Sequence, residues 1–156
     1  MSSLVSVRDL ITEHVKGITP KYVESSNIIV LNQKCIRNNR IDFSLAQFHD
    51  PKKNFSDQKV IKVGDILINS TGQGTAGRCA FVKTLPEDKV VIVDSHILIV
   101  RVSNFYTAGC VEYSLFSIEG LLQTFMDGST GQGEFDKQRL FNIYTGLPAE
   151  NKCEKT

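Results

Sequence analysis

Two copies of Ser-Thr-Gly-Gln-Gly, at 70–74 and 129–133, are where this sequence first offers chemistry. Ser, Thr and Gln supply donors and acceptors, and glycine reaches backbone angles closed to other residues. Such a segment can turn sharply or bring its amides against a phosphate. The first copy opens Gly72-Gln73-Gly74-Thr75-Ala76-Gly77, which spells the G-x-G-x-x-G dinucleotide fingerprint. That fingerprint needs a strand before the glycines and a helix after them, because the pyrophosphate sits on the helix N-terminus. A strand over 65–69 is in place, but 78–84 has alternating apolar character ahead of Pro86 and reads as a second strand. The loop is therefore expected to join two antiparallel strands. A carboxylate about 20 residues on, Glu87 or Asp94, does not by itself make a ribose site. No Lys-Ser or Lys-Thr follows either glycine run, which excludes a Walker phosphate loop. Two readings stay open for both copies: turns at sheet edges, or amides approaching a phosphate with Arg78, or Lys137 and Arg139, assisting.

The segment 32–40, Asn-Gln-Lys-Cys-Ile-Arg-Asn-Asn-Arg, holds three cations, four amides and no acid. Arginine forks match guanine O6 and N7, Asn and Gln match adenine N6 and N7, and any cation can hold a phosphate. This is the vocabulary of DNA contact, and equally that of a solvated polar loop that lacks acids. Lys52, Lys53, Lys59 and Lys62 could add a basic rim, diluted by Asp50 and Asp57. The histidines, His14, His49 and His96, have no partner at metal-ligand spacing. Asp94-Ser95-His96 is not a catalytic triad, since triad members meet from separate elements. Asp94-Ser95 is expected to form a turn bonded to the backbone.

Composition sets the frame for these residues. The chain has 156 residues, 41% hydrophobic and 22% charged, with net charge +1, which suits one domain and argues against a protein basic all over. A local basic patch remains compatible with that sum. Four scattered cysteines (Cys35, Cys79, Cys110, Cys153) form no C-x-x-C pair, so neither a zinc site nor a redox motif is expected. With no signal-like N-terminus and no membrane-length apolar run, the expectation is a cytoplasmic domain with reduced thiols.

The elements that must position these residues follow from periodicity. A helix is predicted over 6–15, with Ser6 as N-cap and Gly17 as its stop. Strands are predicted at 28–31, 60–63, 65–69, 78–84, 90–93 and 96–102. A longer period over 108–126 predicts two short helices, or one interrupted near Gly120. A helical turn at 136–140 and an extended piece at 141–144 complete an α+β fold, a curved and mainly antiparallel sheet closed by a few short helices.

In this order the residues resemble a family. Gly-Ile-Thr-Pro (17–20), Ile-Val-Leu-Asn-Gln-Lys-Cys-Ile-Arg (29–37) and Gly-Asp-Ile-Leu-Ile-Asn-Ser-Thr-Gly (64–72) come first. Gly-Arg (77–78), Val-Asp-Ser-His (93–96), Gly-Ser-Thr-Gly-Gln (128–132) and Asn-Ile-Tyr-Thr-Gly-Leu-Pro (142–148) follow. The pattern resembles a target recognition domain of the DNA specificity subunit of type I restriction-modification enzymes, over 5–148. The resemblance implies a module that reads one half of a split target in double-stranded DNA, with no catalysis and no cofactor of its own. Members of the family typically carry two such domains, each followed by a long helix. The paired helices act as a ruler and dock modification subunits, which methylate adenine using S-adenosylmethionine, and restriction subunits join that assembly. The expectation here is one recognition domain over 1–148 and a polar tail over 149–156, where the family's helix would begin. That tail departs from the family's Pro-rich, Glu-Gln-bearing helix entry, so the chain reads as a truncated or split product, a shuffled module or an orphan domain.

Resemblance and residue chemistry meet at 32–40, which makes Gln33, Lys34, Arg37, Asn38 and Arg40 the expected DNA contacts. Ser70, Thr71, Gln73 and Arg78 form a second tier. Two rival classes are a protein-interaction module, supported if an apolar face around 116–126 were exposed, and a small enzyme holding a nucleotide on its glycine loops.

Overall fold

Strands that are apolar on both faces must be covered on both sides, and several segments of this chain have that character. The computed structural model describes residues 3–72, 74–124 and 140–147. Among them, two four-stranded sheets and two two-stranded ladders form. The first sheet has the order β2 (Ile11–Lys16), β11 (Ile97–Val102), β8 (Ile66–Asn69), β9 (Cys79–Phe81), antiparallel throughout. Alternation along β8 and β11 divides their side chains between two cores. Ile66, Ile68, Leu98 and Val100 face one cluster with α2 (Phe105–Ser117) and α3 (Glu119–Thr124), through Ala108, Val111, Leu115 and Leu122. Leu67, Ile97 and Ile99 face the other, with Ile29, Leu31, Val91 and Val93 of the second sheet. The layers are therefore helix, sheet, sheet.

The second sheet has the order β10 (Val90–Val93), β4 (Ile28–Leu31), β7 (Gln47–His49), β3 (Tyr22–Val23). Its β10–β4 pair is parallel, in register Val90↔Ile28 to Val93↔Leu31, which the antiparallel expectation did not contain. One curved sheet was expected; two packed sheets form, because the turn at Asp94-Ser95-His96 passes the chain from β10 in one sheet to β11 in the other. The first and last described strands meet in a separate ladder, β1 (Ser3–Ser6) antiparallel to β12 (Tyr144–Leu147).

Four further predictions are corrected. The helix over 6–15 is a single turn, α1 (Val7–Leu10), and 11–16 is strand β2 because it pairs with β11 in register Ile99↔Val15 and Val100↔His14. Tertiary pairing overrides helical spacing there. Ser6 makes no cap bond; its hydroxyl donates to the Phe141 carbonyl at 3.1 Å. The strand predicted at 60–63 is one bridge, Val60↔Ile92, followed by a turn in which Gly64 has φ +99°. As expected, the helical stretch divides into two short helices, with the break at Ile118, after Ser117, whose hydroxyl bonds back to the Ser114 carbonyl at 2.7 Å. The last strand starts at Tyr144 rather than ending there. The second pentapeptide, residues 136–139 and the tail lie outside the described residues.

Gly17 sits where a Cβ would overlap the carbonyls of Val93 and Asp94, so only glycine permits this crossing of β2's end over the β10–β11 turn. Asp65, 4% exposed, anchors the start of β8. Its oxygens accept from Arg101 Nε at 3.1 Å and a terminal nitrogen at 3.2 Å, and from the Lys62 amide at 2.8 Å. Arg101 also donates to the Val60 carbonyl at 2.9 Å and pairs with Glu13. The glycine-aspartate sequence is thus a structural anchor for the strand that carries the glycine loop.

Candidate nucleic-acid interface

The 32–40 segment folds as a 3-10 turn and a tight hairpin. Asn32 caps the turn Gln33–Cys35, accepting from the Lys34 amide at 2.9 Å, and the buried Cys35 and Ile36 fix the segment to the core between the sheets. Strands β5 (Ile36–Arg37) and β6 (Arg40–Ile41) follow, joined by Asn38 and Asn39 alone. Both asparagines have positive φ, 52° and 60°, as a type I′ turn requires. Asparagine tolerates that region better than other side chains carrying a Cβ.

The register sets Arg37 directly opposite Arg40. Both are exposed, and neither has an ion pair among the described residues. Like charges directly opposite on a ladder are destabilising. Lys34 is exposed nearby, and Lys83 and Arg40 flank a small polar hollow beside Phe43 and Thr84.

The glycine loop is held by a polar lattice. As expected, it joins antiparallel strands, β8 and β9, and no helix follows it. Gly77 (φ +90°) packs so closely on α3 that a Cβ would lie 2.9 Å from that of Leu122. Gln33 Nε2 donates to the Thr71 carbonyl at 2.8 Å and to Thr71 Oγ1 at 3.2 Å. Asn69, fully buried, donates to the carbonyls of Gln33 (3.2 Å) and Thr75 (3.3 Å), while its Oδ1 finds no partner. Ser70 donates its amide and its hydroxyl to the His96 carbonyl, at 2.8 and 3.0 Å. Thr71 Oγ1 lies 2.5 Å from His96 Nδ1. The hydroxyl has one hydrogen and two lone pairs, so it serves this contact as donor or acceptor according to the His96 tautomer. Asp94 accepts from the His96 amide at 2.9 Å, the expected turn bond. Burial raises the Asp94 carboxyl, and that amide bond pulls it back down.

Three loops are thereby joined: the 3-10 turn, the glycine loop and the β10–β11 turn. Of the predicted contacts, Lys34, Arg37, Asn38 and Arg40 project as exposed residues from one short segment. Gln33 is half-buried and ties that segment to Thr71, while Ser70 is buried and bonded inward. Thr71 and Arg78 are half-buried on the glycine loop, and Gln73 lies outside the described residues. In the sequence His96 shows no role beyond the Asp94-Ser95-His96 turn, because its partners Ser70 and Thr71 are distant in the chain. His49, by contrast, is a core residue, accepting from the Lys21 amide and bonded to the Lys53 carbonyl. Among the described residues no group of three His, Cys, Asp or Glu could hold a metal, and no helix is long and apolar enough to cross a membrane.

No family model and no curated protein matches the chain. Solved structures do. It is similar to the HsdS subunit from Thermoanaerobacter tengcongensis, with TM-score 0.65 and 14% identity over 99% of this chain and 35% of that one. The type I restriction-modification S subunit from M. genitalium gives TM-score 0.63 and 13% identity, covering 99% of this chain and 37% of that one. A chain solved for the complex assembly and conformational transition of the type I R-M system gives 0.66 and 14%, covering 99% and 36%. This chain thus spans about a third of the length of the chains it matches. At this identity the likeness is one of architecture: the chain has the target recognition domain fold seen in type I restriction-modification specificity subunits.

Proposed function

We propose that this chain is a DNA-recognition module, reading one half of a bipartite duplex target for a type I restriction-modification complex. One observation carries the reading: Arg37 and Arg40 are set opposite each other on an exposed hairpin, and neither has an ion pair among the described residues. Folding alone disfavours that pairing, and an anionic ligand between the two guanidinium groups relieves it. A phosphate would take both as a clamp; a guanine edge would take one as a fork. Asn38 stands between them, with Lys34 and His96 on the adjoining turns. The module itself has no catalytic part. A modification subunit, and a restriction subunit beyond it, would be its partners in the larger assembly.

The test is selection from a randomised duplex pool at low salt. Enrichment of a short motif of three or four bases is expected, and loss of the motif in Arg37→Ala marks the base it reads. A pool that stays flat and unbound would refute the reading.

A second reading rests on a different surface. Phe105 (53% exposed) and Tyr113 (68%) of α2 border an apolar hollow of about 570 Å³, floored by Phe81, Gly109 and Cys110. As a protein-interaction module, the chain would use this face against a protein of the specificity complex. Tyr113→Lys would then abolish complex formation while leaving duplex selection intact, whereas Arg37→Ala would do the reverse.

A further inference from the structure

A small hollow beside β9 separates the two arginines that the ladder sets opposite each other. Arg40 lines it and Arg37 does not. Its volume is about 140 Å³, and its walls come from three segments. Arg40 stands at the start of β6, Phe43 follows in the next 3-10 turn, and Lys83 and Thr84 lie just beyond β9. Alternation along 81–83 turns Phe81 and Lys83 to one side, while Val82 is buried in the core between the sheets. Both cations are exposed, and neither has an ion pair among the described residues. No carboxylate is among the described lining residues. Asp42, adjacent in sequence, turns its Oδ1 to the Ser44 amide and hydroxyl, at 3.0 and 2.6 Å. Glu112 of α2 acts on Lys83 only through space and is itself 3% exposed.

Two cations, the Thr84 hydroxyl and two aromatic walls suit a compact oxyanion. Phe43 and Phe81 limit the water beside the cations, which strengthens their attraction for a negative charge. Phosphate contacts fix the register of a protein on a duplex, whereas base edges are read by side chains that reach into a groove. We propose that the hollow is a phosphate subsite, in which Arg40 and Lys83 hold one phosphate of a duplex backbone between them. Arg37, outside the hollow, is then left for a base edge. The proposal rests on the DNA reading above and gives the opposed arginines different tasks: Arg40 with Lys83 positions, and Arg37 reads. It also adds Lys83, which lies far in sequence from the segment 32–40.

The test measures binding of the whole chain to the selected duplex and to a scrambled one across a salt series. Lys83→Ala should weaken both by the same factor, about three- to tenfold at low salt, and reduce the salt slope by about one. Lys83→Arg keeps the charge and should restore both binding and slope. Arg37→Ala should instead lose the enriched motif. A second arm replaces single backbone phosphates of the selected duplex with uncharged methylphosphonates. At one position the parent should lose the same factor as Lys83→Ala loses, and Lys83→Ala should lose little further there. Parent-like binding by Lys83→Ala, in a chain where Arg37→Ala still loses the motif, would overturn this inference alone. So would a Lys83→Ala protein that selects a different motif, since Lys83 would then read a base. Absence of duplex binding by the parent would overturn the DNA reading and the subsite with it.

Discussion

Arg101 and the Arg37–Arg40 pair put one side chain into two opposite settings. Arg101 is mostly buried, and its nitrogens reach Asp65, Glu13 and the Val60 carbonyl. Burial works against its charge, Asp65 and then Glu13 more than offset that, and its pKa ends above the ordinary value. Arg37 and Arg40 are exposed, face each other across a ladder and have no ion pair among the described residues. A satisfied cation holds the fold, whereas an unsatisfied pair on a rigid turn is an opening for a ligand. Net charge of +1 conceals this distinction, since it depends on where carboxylates sit rather than on how many there are.

The comparison can be broken at several points. Removing Arg101 leaves the buried Asp65 carboxylate without its ion-pair partner, so Arg101→Ala should lose about 3–5 kcal/mol of stability in urea unfolding. A loss below about 1 kcal/mol would mean the cluster is ornamental. Arg37→Ala should leave stability unchanged and weaken binding to the selected duplex by about 1–3 kcal/mol if it reads a base. A uniform loss across sequences, with a shallower salt slope, would identify a phosphate contact instead. Asn38→Ala removes the short polar side chain that eases the left-handed conformation at φ 52° and should reduce stability by about 1 kcal/mol, read as a lower midpoint in the same unfolding series. The smallest effect sharpens the contrast most. Arg40→Glu converts a like-charge pair into an opposite-charge one and should stabilise the hairpin by about 0.2–1 kcal/mol while abolishing duplex binding. Improved stability with retained binding would contradict the role given to the pair.

The sequence was most readable where one local rule decided the outcome. Alternation in 78–84 sufficed to reject a dinucleotide loop, and the strand that follows the glycines is β9. Asn38-Asn39 between Ile36-Arg37 and Arg40-Ile41 is itself a hairpin signal, because two positive φ angles favour asparagine. Reading 32–40 by composition alone identified its charge but not this turn. Pairing between distant segments was the part that stayed hidden. Residues 11–16 have spacing compatible with a helix and become a strand only because β11 lies beside them. The parallel β4–β10 pair likewise joins segments that carry no mark of each other. At the candidate site the same limit holds: Thr71, Gln33 and His96 are each ordinary residues until three loops meet.

The ladder between β1 and β12 has a consequence for how such a unit can be used. Leu4 lies beside Gly146 and Ser6 beside Tyr144, so the points where the backbone enters and leaves sit on adjacent strands. Neighbouring strands lie about 4.8 Å apart. A host polypeptide interrupted by this unit would need to part by little more than that spacing. Exchanging one unit for another with different loops would leave the geometry of the host almost untouched.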